Sequence, residues 1–115
     1  MKRHQGVEKK KMPYLDLDIA RKHCQEIRAM VSRHPCGARD ERALQRVQEA
    51  CRAATSAVSD RECRERAGAV EDYACEIFAG AVEFRREMLD ELEALVARIA
   101  ALEGLRDAVA KHRAA

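Results

Sequence analysis

A proline-free stretch from Asp60 to about Lys111 constrains the fold more than any other feature of this 115-residue chain. Within it, apolar residues recur every three or four positions, which places them along one face of an α-helix. These residues are Val70, Ala74, Ile77, Ala81, Phe84, Met88, Leu92, Leu95, Ile99, Leu102 and Val109. This near-heptad stripe, with Arg106 as its misfit, predicts a helix over about 60–112 that packs on other helices.

The composition also favours a helical protein. Charged residues make up 37% of the chain, hydrophobic residues 47% and aromatic residues 3%. Alanine, arginine, glutamate and leucine dominate, as in long helices and coiled coils. A chain of this length is one domain with a modest core. We therefore expect an all-α fold, an antiparallel helical hairpin or three-helix arrangement with a long C-terminal helix.

Two shorter helices are predicted before the long one, over about 16–33 and 39–55. Asp16 is a candidate N-cap for the first helix. His34 precedes a proline and is therefore displaced from helical geometry, which ends that helix. Residues 1–15 are predicted to be a flexible basic arm, and residues 16–115 a single helical domain.

The start of the long helix carries its own signal. Ser59 is followed three residues later by Glu62, and this spacing predicts a capping box in which each side chain satisfies a backbone N–H of the other. The preceding residues, 55–58, are poor helix formers, so we expect the chain to turn there.

The first two helices are too short to bury the whole apolar face of the predicted long helix. At 1.5 Å per residue it would be about 75 Å long, against about 25 Å for each of the first two helices. Either the chain bends near Gly80 and folds back as a fourth helix, or the end of the helix packs on another protein. The second alternative predicts a partner-binding surface made of Leu92, Leu95, Ile99, Leu102 and Val109.

Charge is distributed unevenly, although the net charge is only +2. Residues 1–12 are basic, whereas residues 67–103 carry nine acidic side chains against three arginines. Such asymmetry can bind an oppositely charged partner or complement another part of the fold. No apolar run approaches the roughly 20 residues that span a bilayer. The basic N-terminus leads into no apolar signal core, so we expect no cleaved secretion signal.

Four of the five cysteines lie around the predicted turn. If the chain reverses near residues 57–58, Cys51 faces Cys63 and Cys36 comes near Cys75, with Cys24 left over. Two interpretations remain open. The cysteines can fill the core as small hydrophobic residues, or the two nested pairs can be disulfides that staple a helical hairpin.

The sequence contains no recognisable catalytic or metal-binding motif. Zinc sites place ligands two to four residues apart in pairs, and di-iron helical sites use Glu-x-x-His repeats; neither pattern occurs. There is no glycine-rich phosphate loop and no Ser/His/Asp motif. His23 adjoins Cys24, but neighbouring helical side chains point about 100° apart. We expect no enzymatic activity, no metal and no cofactor.

The segments RVQEAC (46–51), SDREC (59–63) and ACEIF (74–78) resemble the mitochondrial coiled-coil-helix–coiled-coil-helix proteins, in which two cysteine pairs bridge a helical hairpin. The intervals between cysteines, fourteen and then eleven residues, are similar to those of the hinge subunits of respiratory complex III. The resemblance implies the disulfides Cys36–Cys75 and Cys51–Cys63. It also implies a non-catalytic accessory subunit of a respiratory-chain complex, at the inner membrane or in the intermembrane space.

An alternative is a reduced cytoplasmic helical adaptor, of bacterial type, that oligomerises through its C-terminal coiled coil. Both hypotheses predict protein partners, either other subunits or further copies of the same chain. Binding of nucleic acid through the basic arm is not expected, because the arm lacks aromatic residues, and contact with a membrane would be peripheral at most.

Overall fold

The computed structural model describes residues 15–114, which form four α-helices. The helices are α1 (Leu17–Arg33), α2 (Glu41–Ala57), α3 (Arg61–Phe78) and α4 (Arg85–Ala114). The prediction of an all-α fold with a long C-terminal helix is confirmed. The segment predicted as one helix over 60–112 is two helices, so the chain folds back near Gly80. The predicted arm, residues 1–15, lies outside the described residues except for Leu15.

Three of the helices begin at an aspartate whose carboxylate accepts a hydrogen bond from the backbone N–H three residues later. The pairs are Asp16 with Ile19 at 3.2 Å, Asp40 with Ala43 at 3.0 Å and Asp60 with Cys63 at 3.0 Å. Each bond satisfies an amide that has no partner within the helix, and the negative charge suits the helix N-terminus. The cap of α3 is therefore Asp60 rather than the predicted Ser59, and the same carboxylate also accepts hydrogen bonds from Arg98.

The chain reverses between α3 and α4 over residues 79–84. Gly80 has a φ of 112°, which side chains other than glycine rarely tolerate. A Cβ atom at this position would lie 3.3 Å from Cγ of Arg39. Phe84, immediately before α4, has a φ of 77°, and its ring lies 5.8 Å from that of Tyr73. The break in the helix thus falls where the backbone needs a glycine.

The four helices pack antiparallel, each against the next along the chain, and α1 also contacts α4, which closes the bundle. Each helix turns one apolar stripe inwards. In α1 the buried residues are Leu17, Ala20, Cys24, Ile27 and Val31, and in α4 they are Met88, Leu92, Leu95 and Ile99. The spacing of three and four residues in both sets is that of the stripe in the sequence.

Backbone hydrogen bonds join the segments between helices. The N–H of Asp16 donates to the carbonyl of Ala57 at 2.7 Å, and the N–H of Asp40 donates to the carbonyl of Phe78 at 2.9 Å. Each bond ties the start of one helix to the end of the next. The polar backbone groups at these positions are satisfied without regular secondary structure.

Helix α4 is longer than the bundle it belongs to. It has 30 residues, whereas the other three helices have 17 or 18, so it is about 45 Å long against about 26 Å. It returns from residues 79–84 towards residues 58–60 and passes that end of the bundle. Residues 104–113, which we call the C-terminal extension, are all exposed. None of the described helices combines the length and the apolar content needed to cross a bilayer.

Candidate functional site

The five cysteines, all within the described residues, are free thiols. Cys24, Cys51 and Cys63 are buried, whereas Cys36 and Cys75 are exposed. No two of them lie at disulfide distance, so the structure joins neither Cys36 with Cys75 nor Cys51 with Cys63. One reason is the helical period: the twelve residues from Cys63 to Cys75 rotate the side chain by about 120°. When Cys63 faces the core, Cys75 therefore faces solvent.

Burial makes the three interior cysteines poor nucleophiles. It raises the pKa of the Cys24 thiol to about 11 and the pKa values of Cys51 and Cys63 to about 12. A neighbouring acid adds to the effect in two cases, Glu71 at Cys51 and Asp60 at Cys63. Since the thiolate is the reactive and metal-binding form, these side chains are placed to pack as small hydrophobic residues.

The two histidines that lie within two residues of a cysteine in the sequence, His23 and His34, are engaged elsewhere. Nδ1 of His23 lies 2.8 Å from the Glu26 carboxylate. His34 is buried at the end of α1, where its Nε2 donates to the carbonyl of Ala38 at 2.9 Å and its ring centroid lies 4.4 Å from that of Phe78. Over residues 15–114, no three His, Cys, Asp or Glu side chains are grouped so as to hold a metal ion.

Arg85 closes the end of α1 from the first turn of α4. Its guanidinium donates to the carbonyl of Val31 and, at 2.8 Å, to the carbonyl of His34. These carbonyls belong to the last turn of α1, where helical partners are missing and the dipole favours a positive charge. Arg85 is thus a structural residue that joins α4 to α1.

Part of the acidic tract of the sequence, three of its nine acidic side chains, is used inside the fold. Three of its glutamates on α4 form ion pairs with arginines of other helices. The pairs are Arg66–Glu91 at 3.1 Å, Arg21–Glu103 at 2.6 Å and Arg28–Glu93. Of the two alternatives for the charge asymmetry, complementing another part of the fold accounts for these side chains.

A groove between α3 and α4 is lined almost entirely by charged side chains. Its arginines are all paired: Arg98 with Asp60 at 2.9 Å, Arg66 with Glu91 at 3.1 Å and Arg61 with Glu65 at 3.2 Å. The guanidinium groups are held by the protein's own carboxylates. The groove therefore has the character of a solvated ion-pair network and not that of a substrate pocket.

The predicted partner-binding surface divides at the end of the bundle. Leu92, Leu95 and Ile99 are buried in the chain's own core, and Leu102 is half-buried against it. Val109, by contrast, has 55% of its surface exposed. The predicted surface is therefore covered by the fourth helix's own neighbours, except at its C-terminal end.

Leu105 is the residue that the stripe in the sequence missed. It is 59% exposed and lies one turn before Val109, on the same side of the C-terminal extension. The stripe follows the helix positions that face the core, and in the C-terminal extension this face continues to Arg106. Leu105 lies next to this face and not on it. Its spacing of four residues from Val109 is the signal that could have identified it.

The respiratory-subunit hypothesis depends on the two cysteine pairs and stays a prediction. The helical hairpin that the resemblance implies is present as α2 and α3, with Cys51 and Cys63 as free thiols near its turn. Comparison with known protein families, with curated proteins and with solved structures found no match to this chain.

Proposed function

We propose that this protein is a non-catalytic helical scaffold that binds a partner protein through the C-terminal extension of α4. One observation carries the proposal. Residues 104–113 remain helical beyond the end of the bundle, and they present Leu105 and Val109 to solvent at 59% and 55% exposure. The remainder of α4 has its apolar face covered by α1 and α3.

An uncovered helical segment of this kind gains free energy when a partner covers it. Fully burying a leucine or valine side chain contributes about 1.5–3 kcal/mol each. A helix of about ten residues without tertiary contacts is only marginally stable in water. Contact with a second surface would stabilise the helix and bury its apolar side chains, which is the basis of helix-in-groove recognition.

The rest of the molecule supports a binding role over a chemical one. The buried thiols have raised pKa values and the arginines lining the α3–α4 groove are paired with acids. Reactive groups with perturbed pKa values in a cleft are the usual mark of a catalytic centre. Here the perturbed thiols lie in the core instead, where they contribute to packing.

Site-specific photo-crosslinking tests the proposal. A benzophenone amino acid replaces Val109 in the full chain, and the matched control carries it at Val82, which is 65% exposed in the 79–84 segment at the other end of the bundle. We expect a covalent protein adduct from position 109 and none above background from position 82. Absence of an adduct at 109, or equal labelling at both positions, would refute a docking role for the extension.

A further inference from the structure

Leu105 and Val109 lie on the side of α4 that faces α3 within the bundle. At 100° per residue, Val109 is in line with Glu91 and about 20° from Arg98. Both of these charged residues form ion pairs with α3 or with its N-cap. Leu105 lies about 40° from the same line. The apolar side of the extension therefore continues the surface of α4 on which α3 packs.

Helix α3 itself does not reach the extension. Its N-cap, Asp60, is level with Arg98, whose guanidinium lies 2.9 Å from the carboxylate. Glu62 lies 3.8 Å from the same guanidinium, so these two acids are already paired. At a rise of 1.5 Å per residue, Leu105 lies about 10 Å beyond this level and Val109 about 16 Å beyond it. The end of α3 and the projecting part of α4 thus form an inside corner, with the two apolar side chains on its wall.

The charged residues of the extension are divided between its two sides. Basic residues border the apolar side, within about 60° of Val109 on the helix surface: Arg106, His112 and Arg113. The acids Glu103 and Asp107 lie on the far side, about 120° and 160° from Val109. Glu103 is also held there by Arg21 of α1 at 2.6 Å. A partner that covers the apolar side therefore meets positive charge at its edges.

Arg113 is the base with the most charge left for a partner. Arg106 has Glu103 at 3.9 Å and Asp107 at 3.6 Å, whereas Arg113 forms no ion pair with any residue of 15–114. The helix dipole favours bases in the last turn of α4 on any side. Lys111 satisfies that preference about 160° away from Val109, and so it serves as an internal comparison for Arg113.

We propose, resting on the docking role above, that the extension binds an amphipathic helix of another protein whose apolar stripe is bordered by acidic residues. Its apolar residues cover Leu105 and Val109, and its carboxylates lie beside Arg113 and Arg106. The helix occupies the inside corner, in the place that α3 would fill if it were longer.

The shape of the corner favours a helix over an anionic membrane, which also attracts apolar residues flanked by bases. A flat surface would extend from the end of α3 to the tip of α4 and leave Leu105 uncovered. A helix about 10 Å wide fits against both walls of the corner. Shape and charge together therefore select an acidic helix.

A pair of synthetic peptides tests the inference on the full chain. The first is a fluorescein-labelled helix of three heptads with leucine at positions a and d and glutamate at e and g, and the matched peptide has lysine at e and g. Fluorescence anisotropy is expected to give a Kd at least tenfold lower for the glutamate peptide. Similar affinities for the two peptides, or no binding of either, would overturn the inference.

Charge variants of the chain locate the contact. Arg113→Glu replaces an attraction by a repulsion and should raise the Kd of the glutamate peptide about fivefold. Lys111→Glu makes the same change in the same turn on the far side, and should alter the Kd less than twofold. Leu105→Glu should raise it more than tenfold. All three residues are exposed, so the variants keep the helical circular dichroism of the wild type. Equal effects of R113E and K111E would contradict binding on the apolar side.

Two further outcomes separate the acidic helix from other occupants. Binding to vesicles of equal parts phosphatidylserine and phosphatidylcholine that is lost in L105E would assign the extension to a lipid surface and overturn the inference. A crosslink from position 109 to a protein segment without acidic residues would leave the docking role standing and exclude only the partner proposed here.

Discussion

The carboxylate of Asp60 joins the start of α3 to the middle of α4. It accepts hydrogen bonds from the backbone N–H of Cys63 at 3.0 Å and from two nitrogens of Arg98 at 3.0 and 2.9 Å. The hydrogen bonds from Arg98 lower the pKa of Asp60 from 3.8 to about 2, against the opposing effect of burial. The ionised carboxylate is therefore favoured in the folded protein over the unfolded chain.

This difference predicts a defined pH dependence. A depressed pKa stabilises the fold above the unfolded value near 4, and the stabilisation is lost as the pH falls towards 2. Asp60→Asn keeps an N-cap oxygen but removes the charge, so its deficit in unfolding free energy should be constant from pH 5 to 7 and shrink below pH 4. Urea unfolding of both proteins across this range measures it. A deficit that does not change with pH would contradict the role of the charge.

Asp60→Ala is the companion change, because it removes the cap as well as the charge. Loss of an N-cap side chain costs about 0.5–2 kcal/mol. We expect Asp60→Ala to be less stable than Asp60→Asn at every pH, including pH 2, in the same urea series. Equal stability of the two variants would mean that the cap contributes nothing beyond the ion pair.

Replacing each of two glycines by alanine should change the stability of the protein in opposite directions. Gly68 lies within α3 with open space around the position of a Cβ, so Gly68→Ala should stabilise the protein by about 0.5–1 kcal/mol. Gly80 has a φ of 112° and a close neighbour in Arg39. Gly80→Ala should therefore destabilise by more than about 1 kcal/mol. Thermal unfolding of both variants gives the comparison, and the same sign for both would refute it.

At the scale of the elements, α4 has a buried part and an exposed part in one continuous helix. Leu95 belongs to the buried stripe, and its replacement by alanine should cost about 2–5 kcal/mol by leaving a cavity. Val109 lies in the exposed part, and Val109→Ala should change the unfolding free energy of the monomer by less than about 0.5 kcal/mol. Chemical denaturation at low protein concentration tests the division. Similar losses at the two positions would mean that α4 is covered along its whole length.

The elements were predictable wherever a local signal was complete. The aspartate at position 16 predicted the start of α1, and the proline after His34 predicted its end. The three–four spacing identified the buried face of α4. The break at residues 79–84 was not decided by spacing, because Ala81 and Phe84 continue the apolar stripe while lying outside the helices. Gly80 marked where the chain could bend, but a glycine inside a helix costs only about 1 kcal/mol, so the sequence left the continuous helix and the bend both open.

At the scale of the whole molecule, the reactivity of the thiols provides a test of the two hypotheses of the sequence. Three thiols are inside and two are outside. An alkylating reagent at neutral pH should modify Cys36 and Cys75 quickly, and Cys24, Cys51 and Cys63 only after unfolding, because burial raises their pKa values and blocks access.

The disulfide hypothesis predicts a different count. With both pairs oxidised, a single thiol would react even in the unfolded protein, and a reductant would lower the melting temperature. Five thiols by alkylation mass spectrometry of protein isolated without reductant, and equal melting with and without one, are the outcomes we expect. The cysteine spacing could not settle this question, because sequence separation fixes neither the rotation of each helix nor which side chain faces inwards.

The C-terminal extension should be cut by proteases more readily than the four-helix bundle. An enzyme that cuts beside large apolar residues finds Leu105 and Val109 in turns that can unfold without disturbing the core, whereas Leu92 and Leu95 open only when the bundle does. Brief digestion should therefore trim the last turns of α4 and spare the four-helix core. The trimmed bundle would keep the fold while losing the proposed docking element, and so it is itself a reagent for separating stability from recognition.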